Sequence, residues 1–139
     1  MQIMTEWFGP VDIDPATTLT FPVGLPGFED CTRFKLLHDE QKANPLVRWL
    51  QSLDRPDVTF SVVDPAIFDV RYELTLTDEE TNLLSYTEGD HVVVLMLLGR
   101  SEDASVIVPK AKFPILLNLD KQTGLQKQAT TCELVFRNV

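Results

Sequence analysis

The stretch Val58-Thr59-Phe60-Ser61-Val62 places apolar side chains and hydroxyls at alternate positions. This period of two is that of a β-strand with one buried face. Arg71-Tyr72-Glu73-Leu74-Thr75-Leu76 alternates in the same way, and Cys132-Glu133-Leu134-Val135-Phe136 does so with one exception. The run Val92-Val93-Val94-Leu95-Met96-Leu97-Leu98 is apolar on both faces, which is typical of a central strand covered on both sides. The sequence therefore predicts a protein built mainly from short strands.

Turn-forming residues divide the rest of the chain into similar short segments. Nine prolines and six glycines interrupt any long helix. Further strands are predicted over residues 18–22, 34–37, 47–51, 105–108 and 115–118. Thr77-Asp78-Glu79-Glu80 is a capping box, which predicts a short helix near residues 77–84. We therefore expect an all-β fold, an antiparallel barrel or sandwich, with this one short helix.

Length and charge limit the classes of function. The 139 residues predict a single domain, 1–139. A net charge of −9 argues against direct binding of nucleic acid or of an anionic membrane surface. The longest apolar run is too short for a membrane helix, and the N-terminal residues do not resemble a signal peptide. We expect a cytoplasmic protein whose two cysteines, Cys31 and Cys132, stay reduced and unpaired.

Residue patterns typical of catalysis are not found in the sequence. The two histidines, His38 and His91, belong to no metal-binding or nucleophile motif. Gly24-Leu25-Pro26-Gly27 lacks the lysine of a phosphate-binding loop and is better explained as a tight turn. We therefore predict that the protein is not an enzyme and has no catalytic, metal-binding or cofactor-binding residues.

Charge is distributed unevenly along the chain. Of the 21 acidic residues, 19 lie within residues 1–103. Lys110, Lys112, Lys121 and Lys127 predict a mildly basic patch on the C-terminal strands. This asymmetry suits electrostatic steering of a charged protein partner, although ordinary solubilising surface would explain it equally well.

Two longer motifs resemble one known family. The first is Phe21-Pro22-Val23-Gly24-Leu25-Pro26-Gly27-Phe28-Glu29. The second is Asn44-Pro45-Leu46-Val47-Arg48-Trp49-Leu50-Gln51-Ser52-Leu53-Asp54-Arg55-Pro56-Asp57-Val58, which continues through Asp64-Pro65. In this order they resemble the FliW family of flagellar assembly factors. The C-terminal strands around Val108-Pro109 depart from the family's usual Asn-Leu-x-Ala-Pro pattern.

The resemblance implies a non-enzymatic, flattened antiparallel barrel without cofactors. It implies a chaperone and regulator of translation that binds CsrA and so relieves the repression of flagellin mRNA by CsrA. It also implies that flagellin competes for the same protein in a partner switch. An alternative is a flagellin-only binding or secretion chaperone, or a diverged FliW paralogue that does not bind CsrA.

The loop between two predicted strands is the candidate contact region for these partners. The predicted partner-binding residues are Gln51, Ser52, Asp54, Arg55 and Asp57. Arg55-Pro56-Asp57-Val58 suits a type I turn, which would present its charged side chains to a partner. The alternative is that the loop merely links two strands. Trp49 and Leu50, just before it, are both expected to pack inside the barrel.

Overall fold

Strands dominate the part of the chain that the computed structural model describes, namely residues 2–39, 41, 43, 45–100, 107–128 and 133–136. The strands are β1 (Gln2–Thr5), β2 (Gly9–Asp12), β3 (Leu19–Thr20), β4 (Arg33–His38), β5 (Val47–Ser52), β6 (Thr59–Val63), β7 (Val70–Glu73), β8 (Val92–Arg100), β9 (Ile107–Asn118), β10 (Thr123–Gln126) and β11 (Glu133–Phe136). The helix α1 spans Asp78–Leu83, and single turns of 3-10 helix lie at Pro15–Thr17 and Pro65–Phe68.

Seven strands close into a barrel in the order β10-β3-β4-β5-β6-β8-β9. Neighbouring strands are antiparallel except for β10 and β3, which run parallel and pair at Thr123 and Thr20. A closed ring with an odd number of strands cannot alternate in direction throughout. The predicted barrel is therefore confirmed, and its expected antiparallel pairing is wrong at this one seam.

The barrel interior is filled by aromatic and branched side chains. Its buried members are Leu19, Phe21, Leu25, Cys31, Phe34, Leu50, Val58, Val62, Leu95, Ile115 and Leu117. The rings of Phe21 and Phe34 meet edge-to-face with centroids 5.1 Å apart. Gly124 on β10 lets the strand pass close to this pair, because an added Cβ would lie 2.5 Å from the Phe21 ring.

The capping box forms as the sequence predicts. The Thr77 hydroxyl accepts a hydrogen bond from the Glu80 N–H at 3.1 Å, and the Glu80 carboxylate accepts one from the Thr77 N–H at 2.9 Å. Leu84 caps the C-terminal end of α1 and is fully buried against Leu116 and Leu125. The helix therefore covers part of the outer face of the barrel, where it forms a second, smaller apolar cluster.

Two small sheets lie outside the barrel. β1 and β2 form an antiparallel hairpin that is absent from the sequence prediction, and β7 pairs with β11. β7 ends at Glu73, so the predicted strand over residues 71–76 is three residues too long. The strand predicted from residue 132 begins at Glu133 in the structure, and Cys132 lies outside the described residues.

The C-terminal half of the barrel differs from the prediction in its segmentation. The separate strands predicted at 105–108 and 115–118 are one long strand, β9, and residues 105 and 106 lie outside the described residues. β10 was not predicted, because its sequence Thr123-Gly124-Leu125-Gln126 contains a glycine and is only four residues long.

The glycine-rich motif is a turn, as predicted. Gly24 and Gly27 have φ values of +65° and +84°, a region that side chains other than glycine rarely adopt. At Gly24 an added Cβ would also lie 2.7 Å from the backbone of Glu29. The motif therefore shapes the chain between β3 and β4, and it offers no reason to infer phosphate binding.

Candidate functional site

The predicted contact loop joins β5 to β6 and is held from within by two buried polar side chains. The Ser52 hydroxyl accepts hydrogen bonds from the N–H groups of Asp54 and Arg55, each at 3.0 Å. The Gln51 amide donates to the carbonyl oxygens of Ser52 and Val58 at 3.0 and 3.2 Å. Both side chains are almost completely buried, at 2% exposure or less. Gln51 and Ser52 therefore determine the shape of the loop and do not themselves form part of the exposed surface.

The turn in this loop is present. The Val58 N–H donates to the Arg55 carbonyl oxygen at 3.2 Å, which is the hydrogen bond expected between the first and fourth residues of a β-turn. Pro56 occupies the second position, where its fixed φ favours the turn.

Asp54 connects the loop to the start of β4. One carboxylate oxygen accepts hydrogen bonds from the N–H groups of Thr32 and Arg33, each at 3.0 Å. The other accepts two from the Arg33 guanidinium, at 2.8 and 3.1 Å. Partial burial acts to raise the pKa of Asp54, but the hydrogen bonds from Arg33 and Thr32 outweigh it and hold that pKa below its ordinary value. Asp54 is therefore an anchor of the loop more than a free charge.

Arg55 and Asp57 are the predicted residues whose side chains face the solvent. Their side chains are 43% and 54% exposed and form an ion pair at 3.1 Å. Arg55 also lies 3.9 Å from the carboxylate of Asp30, which is 65% exposed. The surface at the turn thus carries two carboxylates around one guanidinium, and its local charge is negative.

The N-terminal hairpin extends this surface. The Glu6 N–H donates to the Pro56 carbonyl oxygen at 2.9 Å, so the tip of the hairpin rests on the turn. Trp7 and Met4 are 62% and 65% exposed. We call Met4, Trp7, Arg55, Pro56 and Asp57 the turn–hairpin surface. Exposed aromatic and apolar side chains beside charged ones are typical of protein-binding surfaces.

Trp49 links the hairpin to the barrel wall. Adjacent residues of a strand point to opposite faces, so Leu50 is buried in the core whereas Trp49 lies on the outer face. The Trp49 ring packs against Phe8 of the hairpin with centroids 5.2 Å apart. The prediction that both residues pack inside is thus confirmed for Leu50 and wrong for Trp49. The adjacent aromatic residues Trp7 and Phe8 are the feature of the sequence that could have indicated the hairpin.

The predicted basic patch is wrong for two of its four lysines. The side chain of Lys127 is fully buried, and its ammonium donates to both carboxylate oxygens of Glu80 at 2.5 and 2.8 Å. Lys121 pairs with Asp90 at 2.8 Å. Hydrogen bonds from Lys121 and from Asn118 lower the pKa of Asp90 to about 2. Only Lys110 and Lys112 remain as exposed cations without a described ion pair among these four.

Within the described residues, no group of three or more histidine, cysteine or acidic side chains is arranged to hold a metal ion. None of the described helices is long and apolar enough to cross a membrane. Cys31 is a free thiol in the barrel core, where burial raises its pKa.

Comparison with known proteins identifies relatives along almost the entire chain. The family model described as FliW protein matches residues 2–137. The flagellar assembly factor FliW of Chromobacterium violaceum is 33% identical over 98% of both chains. That of Azoarcus sp. is 33% identical over 99% of this chain and 98% of the relative. A crystal structure of the flagellar assembly factor FliW superposes with a TM-score of 0.79 at 24% identity, covering 99% of this chain and 95% of that one. The fold of that structure is therefore the fold of this chain.

Proposed function

Because this chain belongs to the FliW family of flagellar assembly factors, we propose that it binds CsrA and flagellin in a partner switch. Binding of CsrA by this protein antagonises the repression of flagellin mRNA, and free flagellin displaces CsrA. The level of flagellin then feeds back on its own synthesis. In this proposal the protein is a non-enzymatic, single-domain chaperone and regulator of translation that acts in the cytoplasm without a cofactor.

The family match over residues 2–137 is the observation that carries this proposal. Support from the structure comes from the turn–hairpin surface. Trp7 offers a large apolar contact area, and Asp57 on this surface and Asp30 beside it give a local negative charge. Such a surface complements a basic partner and favours rapid association.

A net charge of −9 also bears on the mechanism. An acidic protein docked on an RNA-binding regulator lowers the affinity of that regulator for RNA by like-charge repulsion, without occupying its RNA site. We therefore propose that the protein acts on mRNA only through its protein partner and does not bind nucleic acid itself.

The experiment is calorimetric titration of the purified protein with CsrA from the same organism, followed by the same titration after saturation with flagellin. We expect saturable heat in the first titration and its loss in the second. Binding of flagellin without any binding of CsrA would instead identify a flagellin-only chaperone or a diverged paralogue. No heat with either partner would contradict the proposal, and heat from added RNA alone would contradict its claim that the protein does not bind nucleic acid.

A charge-reversed variant tests whether CsrA contacts the turn–hairpin surface. Asp57→Lys changes an exposed side chain whose one described ion pair is with Arg55 of the same turn. Glu88→Lys makes the same change of charge in the loop that follows α1 and serves as the matched control. Weaker binding of CsrA by the first variant alone would support contact at the turn–hairpin surface, and equal effects would argue against it.

A further inference from the structure

A cleft of about 660 Å³ separates the N-terminal hairpin from the barrel wall at β4 and β5. Its lining includes the apolar side chains of Phe8, Val11, Leu37 and Trp49, which we call its floor. A volume of this size lies in the range of sites that bury small ligands or a few side chains. The cleft adjoins the turn–hairpin surface through Trp7 and Phe8, which are consecutive in the chain.

The apolar floor is unusual for the outside of a barrel. Leu37 and Trp49 pair directly across β4 and β5, so both side chains project from the same outer face. Outward positions of a half-buried strand are ordinarily polar. Phe8 contacts the Trp49 ring on one side, and Leu37 and Trp49 both remain only half-buried. The hairpin therefore covers this apolar pair incompletely.

Among the described residues that line the cleft, the carboxylates outnumber the lysine by two to one, and we call these two carboxylates its rim. Asp12 on β2 and Asp39 after β4 both line it, and Asp12 is exposed. Lys35 also lines the cleft, but its ammonium is directed to the Thr17 hydroxyl at 2.6 Å. His38 is the remaining titratable side chain of the lining, and its ring nitrogen Nδ1 lies 3.3 Å from the Asp39 carbonyl oxygen.

An apolar floor with one carboxylate from the hairpin and one from the end of β4 fits one kind of occupant. We propose that the cleft binds a segment of a protein partner in which an apolar side chain is flanked by lysine or arginine. The apolar side chain lies on Leu37 and Trp49, and the cations meet Asp12 and Asp39. Trp49 adds an aromatic face over which a cation is attracted. This inference rests on the proposed function in one respect, namely that the occupant of the cleft is part of a protein partner.

The two tryptophans of the chain make the test specific, since both lie at or beside the cleft. In the variant Trp7→Phe, the emission reports on Trp49 alone. The probe is a blocked heptapeptide of alternating lysine and leucine, and its counterpart is the same peptide with glutamate in place of lysine. We expect a saturable change in Trp49 emission with the first peptide and none with the second.

Variants of the rim and floor distinguish the cleft from general attraction to an acidic protein. Asp12→Lys with Asp39→Lys, in the Trp7→Phe background, should weaken binding of the lysine peptide at least tenfold. Leu37→Thr, which keeps a strand-forming residue, should weaken it about fivefold without any change of charge. Far-UV circular dichroism establishes that each variant is folded.

The matched control is Glu79→Lys with Glu88→Lys, which changes the net charge equally at two exposed positions on and after α1. We expect a loss of affinity of less than threefold there. Equal losses of affinity in the rim and control variants would overturn the inference. So would the absence of a saturable change in Trp49 emission up to about 1 mM peptide, which is about the weakest binding worth assigning to a site. Concentration-dependent dimerisation that Leu37→Thr abolishes would also overturn it, because the occupant would then be a second copy of the chain.

The outcome is separable from that of the proposed function. Calorimetry with CsrA and flagellin tests the proposed function without reference to the cleft. Heat with either partner but no peptide binding would leave the proposed function standing and overturn the cleft. Peptide binding with no heat from either partner would support the cleft and contradict the proposed partners.

Discussion

The buried ion pair between Lys127 and Glu80 gives the sharpest test of how the structure is held together. The Lys127 side chain is fully buried and the Glu80 side chain is 16% exposed. Replacing Glu80 with glutamine removes the negative charge and leaves the ammonium inside the protein. Glutamine is also accepted at this position of a capping box. The change therefore isolates the ion pair from the capping of α1.

The magnitude follows from the burial of Lys127. Breaking a buried pair by removing one partner costs about 3–5 kcal/mol. Because the Glu80 side chain is 16% exposed, the loss falls in the lower part of that range. We therefore expect Glu80→Gln to lower the free energy of unfolding by about 3–4 kcal/mol. For a domain of this length, this is a fall in Tm of roughly 10–15 °C.

The reciprocal change should cost less. Lys127→Met keeps an apolar chain of similar length, and the Glu80 carboxylate keeps its hydrogen bond from the Thr77 N–H at 2.9 Å. Because Glu80 also reaches solvent, we expect a loss of about 1–2 kcal/mol. The double variant should lose at least about 2 kcal/mol less than the sum of the single losses, since neither partner is then left buried and unpaired.

The pair should also show in the dependence of stability on pH. Burial acts to raise the pKa of Glu80, but hydrogen bonds from Lys127 and from the Thr77 backbone outweigh it and lower that pKa. The contribution of a carboxyl whose folded-state pKa is lowered is complete above its unfolded pKa of about 4.3 and is lost as the pH falls through the folded-state pKa. The difference in the free energy of unfolding between the wild type and Glu80→Gln should therefore become smaller as the pH is lowered.

Urea unfolding followed by circular dichroism measures all four proteins at pH 7, and the wild type and Glu80→Gln again at acidic pH. Glu79→Gln is the control, because this neighbouring carboxylate is exposed on the same turn of α1. A loss of less than 1 kcal/mol in Glu80→Gln, or additive losses in the double variant, would refute the reasoning. Either result would mean that the ammonium of Lys127 finds water or another acceptor in the folded protein.

Three further expectations concern the core and the contact loop. Gly124→Ala should lower the free energy of unfolding by about 1–3 kcal/mol, because the new Cβ would lie 2.5 Å from the Phe21 ring. Phe21→Leu should cost less in that variant than in the wild type, and additive losses in urea would contradict the contact. Asp54→Asn should lower the free energy of unfolding by about 1–3 kcal/mol because it loses hydrogen bonds. Asp57→Asn should leave the urea midpoint unchanged. Similar effects of the two substitutions on the urea midpoint would mean that Asp54 does not anchor the loop. In stopped-flow binding to CsrA, Asp57→Lys should slow association about threefold to tenfold at low salt and much less at high salt, and an unchanged rate would remove the turn from the interface.

Local signals in the sequence were sufficient for much of the fold. The alternation over residues 58–62 corresponds to β6, and the capping box at Thr77 corresponds to the start of α1. Both depend on residues within a few positions of one another, so a single sequence contains them. The parallel seam between β3 and β10 depends on how many strands close the ring, which no local pattern encodes.

The N-terminal hairpin shows why other elements were missed. Its strands are four residues long, and β2 contains Pro10, which weakens any strand pattern. The hairpin is held by contacts with distant parts of the chain, namely the hydrogen bond from Glu6 to Pro56 and the packing of Phe8 on Trp49. Such contacts become visible only when the chain is folded.

The candidate site follows the same division between local and distant causes. The motif around residues 51–57 selects the loop, and Pro56 predicts its turn, but spacing alone does not say which side chains face outward. Gln51 and Asp54 are consumed by hydrogen bonds that shape the loop and attach it to β4, whereas Asp57 is exposed. A polar residue of the candidate contact loop can thus determine the shape of the exposed surface while its own side chain is buried or hydrogen-bonded within the protein. Substitutions at Gln51 or Asp54 would weaken the binding of any partner by deforming the turn. Only substitutions at Asp57 and its exposed neighbours can therefore distinguish direct contact with a partner from an effect on the shape of the loop.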